Sequence, residues 1–244
     1  MKAIGIIPAR YQSTRLPAKP LLRETGKYLI QHVWEQASRA TSLDAVIIAT
    51  DDERILQAAG EFGADARMTA ASHQTGTDRI AEIAAGIDCD IVVNIQGDEP
   101  EIEPAAIDLA VSALQEAPGA VMSTLAHRTN DAARAADPNV VKVVVGRDGR
   151  ALYFSRAPIP LARDEGAGES YLLHVGLYAY TKDFLLGYTQ MPQTPLEETE
   201  KLEQLRAIEN GYIIQVAETA YEALGIDTPA DYEAFVERHR AESQ

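Results

Sequence analysis

The chain opens Ala3-Ile4-Gly5-Ile6-Ile7-Pro8-Ala9-Arg10-Tyr11-Gln12-Ser13-Thr14-Arg15-Leu16-Pro17-Ala18-Lys19-Pro20. Its first five residues form an apolar run that reads as a buried strand. The strand empties into a loop that carries Arg10, Arg15 and Lys19 within ten residues. The whole chain has a formal net charge of −15, so this loop reverses the local sign. In an open α/β sheet, ligands bind where loops leave the carboxyl ends of strands. A cationic loop there suits a polyphosphate, and Pro17 and Pro20 stiffen it. A solvated basic loop beside a strand is the plainer alternative. No GxGxxG and no GxxxxGK[ST] follows the strand. Phosphate would therefore be held by side-chain cations as much as by backbone amides, arginine gripping oxygens in pairs and lysine acting as a point charge.

Outward from this stretch, strand-like runs alternate with amphipathic helical stretches, the pattern of a parallel sheet covered by helices. Tyr28 to Ala40 reads as a helix, Ala45 to Thr50 as a strand, and Asp51-Asp52-Glu53 as the acidic start of the next helix. Ala66–Thr69, Asp90–Ile95 and Val121–Ala126 read as further strands, with Ala105–Glu116 helical between the last two. Val140–Val145 and Ala151–Ser155 flank Gly146-Arg147-Asp148-Gly149-Arg150, a hairpin turn. A polar loop, Arg163 to Ser170, leads into the strand His174–Tyr180. Residues about 146–190 read as a β-rich insertion and a candidate dimer surface. The chain returns with a helix from Leu196 to Asn210, a strand Ile213–Ala217 and a final helix. The expectation is one α/β domain over residues 1–244, with a Rossmann-like, mostly parallel sheet.

A length of 244 residues with 46% apolar content supports a substantial core. The acidic balance argues against non-specific nucleic-acid binding, which needs a basic face. Cys89 is the single cysteine, which excludes a disulfide framework or a cysteine metal cluster. No charged-then-apolar leader and no run of membrane-spanning length is present, so the expected setting is cytoplasmic without membrane insertion.

Several residues stand where chemistry could be done. Asp98 follows a buried strand in Gln96-Gly97-Asp98-Glu99-Pro100, which places it at the sheet edge where the cationic loop emerges. Gly-Asp is also a common turn pair. In Gly225-Ile226-Asp227-Thr228-Pro229, a helix cap accounts for Thr228, Pro229 and Asp231 but leaves Asp227 unexplained. Ser72 to Arg79 reads as a helix cap, with groups that could also bond a base and ribose. His174 and Tyr178 share one face of a strand, as ordinary half-buried residues would. Leu202 and Leu205 form an apolar stripe that anchors a helix, leaving Glu203 and Gln204 to solvent or to a ligand. His32, His127 and His239 show no ligand spacing, and Lys142 is assigned no role.

The run IIPARYQSTRLPAKPL closely resembles the N-terminal signature of the 3-deoxy-manno-octulosonate (KDO) cytidylyltransferase family, and later motifs extend the resemblance over nearly the full length. QGDEP resembles the family's metal-binding aspartate motif and IDTP its second, which implies Asp98 and Asp227 as ligands of Mg²⁺. Two carboxylates suit an ion that prefers few protein oxygens plus substrate phosphate oxygens. The resemblance implies that Pro8, Arg10, Arg15, Lys19, Gln74, Thr77, Arg79 and Asp98 meet the nucleotide CTP. It implies that Gln96, Arg156, His174, Tyr178, Glu203 and Gln204 meet a sugar acid, with Arg156 on its carboxylate. Arg10, Lys19, Asp98 and Asp227 are the implied catalytic set.

The implied reaction is attack of the sugar's anomeric hydroxyl on the α-phosphorus of CTP, giving the CMP-sugar and pyrophosphate for lipopolysaccharide synthesis. A homodimer in an outer-membrane bacterium is implied with it. Three departures stand out: Tyr28 where the family more often has proline, Ala223-Leu224 in place of a glycine-rich lead to Asp227, and a short Ala162–Tyr171 segment. Rival readings are a sugar 1-phosphate nucleotidyltransferase, a sialic-acid or 8-amino-KDO cytidylyltransferase, and a nucleotide-binding regulator without turnover.

Overall fold

The computed structural model describes residues 1–12, 16–163 and 170–242; Arg15 and residues 164–169 of the short loop lie outside this range. Along the chain run β1 (Ala3–Ala9), α1 (Leu29–Ala37), β2 (Ala45–Thr50), α2 (Glu53–Glu61), β3 (Asp65–Met68), α3 (Gly76–Ala85) and β4 (Ile91–Asn94). Next come α4 (Pro104–Glu116), β5 (Ala120–Thr129), α5 (Ala132–Ala136), β6 (Lys142–Val145), β7 (Ala151–Ser155), β8 (Tyr171–Thr181) and α6 (Lys182–Tyr188). Then follow α7 (Pro195–Glu200), α8 (Gln204–Glu209), β9 (Ile213–Thr219) and α9 (Pro229–Glu242).

The chain forms two compact units, Met1–Asp108 with Ala223–Gln244, and Leu109–Glu222. In the first, four parallel strands run in the order β3-β2-β1-β4. This is the arrangement of a doubly wound sheet, and the order reverses between β1 and β4, where such sheets bind ligands. Both strands are buried except at Pro8 and apolar except at Asn94, as suits strands covered on two faces. The expected parallel sheet flanked by helices is the one found.

A small core beneath the basic loop fixes its course. Leu16, with Leu22 against it, packs on Leu29 of α1, on Ile226, and on Tyr232, Phe235 and Val236 of α9. The Tyr28 position enters α1 with φ −63°, the value a proline ring imposes, so tyrosine substitutes there without changing the backbone.

In the second unit β5 is central, antiparallel to β8 and parallel to β9. β6 pairs antiparallel with β7 and β8. The Gly146–Arg150 hairpin forms as expected, with Gly149 at φ 77° supplying the left-handed position. One expectation needs correction. The helix read from Leu196 to Asn210 is two helices, because Lys201 turns left-handed (φ 54°) and ends α7. Arg206 of α8 then reaches back to Glu197 of α7 in a buried bidentate pair that holds the corner.

The α1–α9 contact carries a buried titratable group. His32 is 7% exposed, stands edge-on to Phe235 at 5.2 Å and to His239 at 4.9 Å, and bonds Thr25 Oγ1 at 2.7 Å. Burial, then the nearby charges of His239 and Lys27, lower its pKa from 6.5 to about 4, against a smaller opposing pull from Glu35 and Glu101. The unfolded chain therefore binds this proton more readily. Its contribution is complete above pH 6.5 and is lost as pH falls from 6.5 towards 4, an effect of about 3 kcal/mol. Urea unfolding should show the fall setting in below pH 6.5, before the carboxylates titrate, and His32→Gln should flatten it. An unchanged slope in that variant would assign the loss to other groups.

Candidate functional site

Three loops meet at the carboxyl end of the first unit's sheet. The loop after β4 comes close to β1 because Gly97 has no side chain: a Cβ there would stand 2.8 Å from Pro8 O. The segment before α9 is tied in by Ile226 N donating to Asp98 O at 2.9 Å. Asp231 accepts from the amides of Asp227 and Thr228 and from the Thr228 hydroxyl, at 3.0, 2.8 and 2.8 Å. Thr228 accepts in return from Asp231 N, so the cap accounts for Thr228 and Asp231, and Asp227 is left to other work.

Lys19 joins the three loops. Its Nζ donates to Asp98 Oδ2 at 2.7 Å, to Ile226 O at 2.7 Å and to Asp227 Oδ1 at 3.4 Å. Ala18 before it is left-handed (φ 55°), a conformation that costs a non-glycine residue about 1–2 kcal/mol and that aims Lys19 into the site.

A cavity of about 360 Å³ opens there, lined by Pro8, Arg10, Lys19, Gln96, Asp98 and Asp227 among others. Arg10 lines it, and its buried Nη2 has no hydrogen-bond partner among the described residues. An unsatisfied buried cationic donor is costly, a cost that an anion bound beside it would relieve. The donor set also fits Mg²⁺: two carboxylates, hard oxygen ligands, with space for phosphate oxygens and water. Among the described residues no group of three or more His, Cys, Asp or Glu gathers into a fuller metal site.

The loop before α3 abuts this cavity wall, since a Cβ on Gly76 would lie 3.2 Å from Pro8 Cγ. Thr75 and Asp78 form a capping box. Thr77 is buried, and Gln74 Nε2 donates to Ser72 O at 2.9 Å. Arg79 is wholly buried, with its guanidinium donating to Asp51 Oδ2 at 2.7 Å and to Thr69 Oγ1. It fastens the ends of β2 and β3 to α3.

The residues implied for a sugar acid other than Gln96 lie in the second unit. His174 and Tyr178 are in ring contact at 5.3 Å, and Phe154 stands edge-on to His174 at 5.1 Å. Burial holds the His174 pKa down to about 3, so the ring is neutral. Burial, with Glu203 and Tyr188 adding to it, raises the Tyr178 phenol well above its usual range. Gln204 is 4% exposed and its Nε2 has no hydrogen-bond partner among the described residues, so the amide is enclosed and not solvated. Arg156 donates to the carbonyls of Glu200 (2.7 Å), Pro138 (2.9 Å) and Lys201 (3.5 Å), across the C-terminal end of α7.

Sequence reasoning passed over Lys142. It is fully buried, and its ammonium donates to the carbonyls of Asp137 (3.0 Å), Val140 and Arg156. A lone lysine inside Val140-Val141-Lys142-Val143-Val144 was the available signal. Glu200, which accepts from Ser155 Oγ at 2.7 Å and Arg156 N at 3.0 Å, gave none.

Residues 4–219 match the family model described as Cytidylyltransferase. A 3-deoxy-manno-octulosonate cytidylyltransferase of Solibacter usitatus is 56% identical over 232 residues, 95% of this chain and 92% of that protein. One from Geobacter metallireducens is 50% identical over 98% of each chain. A CMP:2-keto-3-deoxy-manno-octonic acid synthetase solved in complex with CTP superimposes with a TM-score of 0.95 at 44% identity, covering 99% of this chain and all of that one. This chain belongs to the cytidylyltransferases and, among them, to the 3-deoxy-manno-octulosonate cytidylyltransferase family.

The buried corner beneath Glu203 and Gln204 gives a stability prediction. Glu197→Ala leaves the Arg206 charge unpaired and should cost about 3–5 kcal/mol in urea unfolding. The double variant Glu197→Leu with Arg206→Met should recover most of that loss, and equal losses in both would refute the assignment.

Proposed function

We propose that this chain transfers CMP from CTP to 3-deoxy-D-manno-octulosonate, releasing pyrophosphate. The observation that carries the reading is the cavity lined by Arg10, Lys19 and two carboxylates, in a family whose CTP-bound member has the same fold. The sugar's anomeric hydroxyl gives up its proton to solvent as its oxygen bonds to the α-phosphorus, the P–O bond to the β-phosphate breaks, and pyrophosphate leaves with the electron pair. Such transfers are catalysed mainly by positioning and charge neutralisation. Arg10 would grip phosphate oxygens. Lys19, held by two aspartates and a carbonyl, would neutralise charge on the pyrophosphate as it departs.

Asp98 and Asp227 would hold Mg²⁺. When bound, that ion supplies Lewis-acid polarisation of the phosphate and of the attacking hydroxyl. Neutral His174 and Tyr178 suit hydrogen bonds to sugar hydroxyls and make poor acid–base catalysts at neutral pH. Arg156 would need to turn at least one donor away from the backbone to meet the sugar carboxylate. A cytoplasmic homodimer serving lipopolysaccharide synthesis completes the reading, and no described helix is long and apolar enough to cross a membrane.

Pyrophosphate release from CTP and Mg²⁺ should occur with KDO, and not with sialic acid. Release with 8-amino-KDO alone would move the specificity, and silence with every sugar acid would overturn the reading. Asp98→Asn should abolish turnover with the circular dichroism spectrum unchanged. Lys19→Met should lower kcat on the order of 10²–10³. Near-normal rates in either variant would remove that residue from the catalytic set.

A further inference from the structure

β8 departs from regular pairing at one place. Its ladder with β5 matches Thr124 to Tyr178 and then Leu125 to Val175, so Gly176 and Leu177 fall outside the register as a bulge. At this bulge two carbonyls, Val175 O and Leu177 O, lie 3.0 and 2.9 Å from the Thr124 hydroxyl. Thr124 is fully buried, and His174 Nε2 lies 2.9 Å from the same oxygen.

These three contacts settle which group donates. A hydroxyl has one proton, and a carbonyl can only accept. The Thr124 proton therefore goes to the bulge carbonyls, and towards His174 the oxygen offers a lone pair. His174 must supply the proton of that hydrogen bond from Nε2. Because burial keeps the ring neutral, Nδ1 then carries none and is an acceptor. Phe154 and Tyr178 wall the ring on its other sides, which opposes a flip that would exchange the two nitrogens.

We propose that Thr124 is a positioning residue: it fixes His174 as the Nε2–H tautomer, so that Nδ1 accepts a hydrogen bond from a hydroxyl of the sugar acid. The tautomer assignment stands on the geometry of the second unit alone, whereas the substrate half rests on the function proposed above. A site built this way discriminates by hydroxyl donation, because a sugar lacking that hydroxyl leaves Nδ1 buried and unpaired.

Two readouts test the two halves on the full-length chain. Long-range ¹H–¹⁵N correlation spectra at pH 7, assigned with His174→Gln, should show His174 protonated at Nε2 alone. Thr124→Val should lose that single pattern, and Thr124→Ser should keep it. A wild-type ring protonated at Nδ1, or at both nitrogens, would overturn the tautomer assignment whatever the enzyme does. In steady-state kinetics Thr124→Val should raise KM for the sugar acid about tenfold, the scale of one neutral hydrogen bond. KM for CTP should stay within about twofold, and Thr124→Ser should restore wild-type values. If Thr124→Val shifts both constants equally, or neither, the positioning role fails. Should Thr124→Val not fold, the wild-type spectrum and the Thr124→Ser kinetics still decide both halves: a Ser variant with the tautomer kept but sugar KM lost refutes the role. Absence of turnover with any sugar acid overturns the function instead, and leaves the spectrum to judge the tautomer.

Discussion

One ammonium group holds the catalytic end of the first unit together. Lys19 draws in Asp98, 79 positions away, and Asp227, 208 positions away, and takes the Ile226 carbonyl with them. Two carboxylates this close would otherwise repel each other, so the cation is what lets three loops converge at the β1–β4 switch point. The apolar packing of Leu16 and Leu22 against α1 and α9 sets the course of the loop that delivers it. The stability of this end and the chemistry proposed for it are therefore one arrangement, in which the lysine proposed to meet phosphate also closes the fold around its own site.

The second unit handles its cations differently. Buried Lys142 donates to three carbonyls, half-buried Arg156 lies across the carbonyls that end α7, and buried Arg206 meets the Glu197 carboxylate. Backbone acceptors cannot move independently of the chain, so Lys142 and Arg156 each fix a segment and not just a side chain. Lys142 and Glu200 both bond the main chain of Arg156, which locks that residue's backbone.

Much of this was legible in the sequence. Apolar continuity in Ala3–Ile7 and Asp90–Ile95 announces strands buried on both faces, and the Thr228–Asp231 spacing announces the cap that separates Asp227 from local duties. What was not legible depends on long-range geometry. The break at Lys201 has no glycine to mark it, and the Glu197–Arg206 pair that holds the corner is made of residues that look like ordinary surface charges in a helix. Arg79 belongs to the segment that resembles a nucleotide-binding loop, and its bonds to Asp51 and Thr69 join elements too far apart in sequence to be read from it. The bulge at Gly176-Leu177, which decides the proton of His174, belongs to a pairing register that no single strand carries.

The position of His32 reaches further than stability. The helix it docks begins two residues after Asp227, so the carboxylate is mounted on an element whose seating depends on a neutral imidazole. The acid limit of the enzyme would then be inherited from its scaffold. The midpoint of such a rate profile would move with whatever stabilises the fold, such as temperature or a bound ligand, where that of a titrating catalyst would follow the group's own pKa.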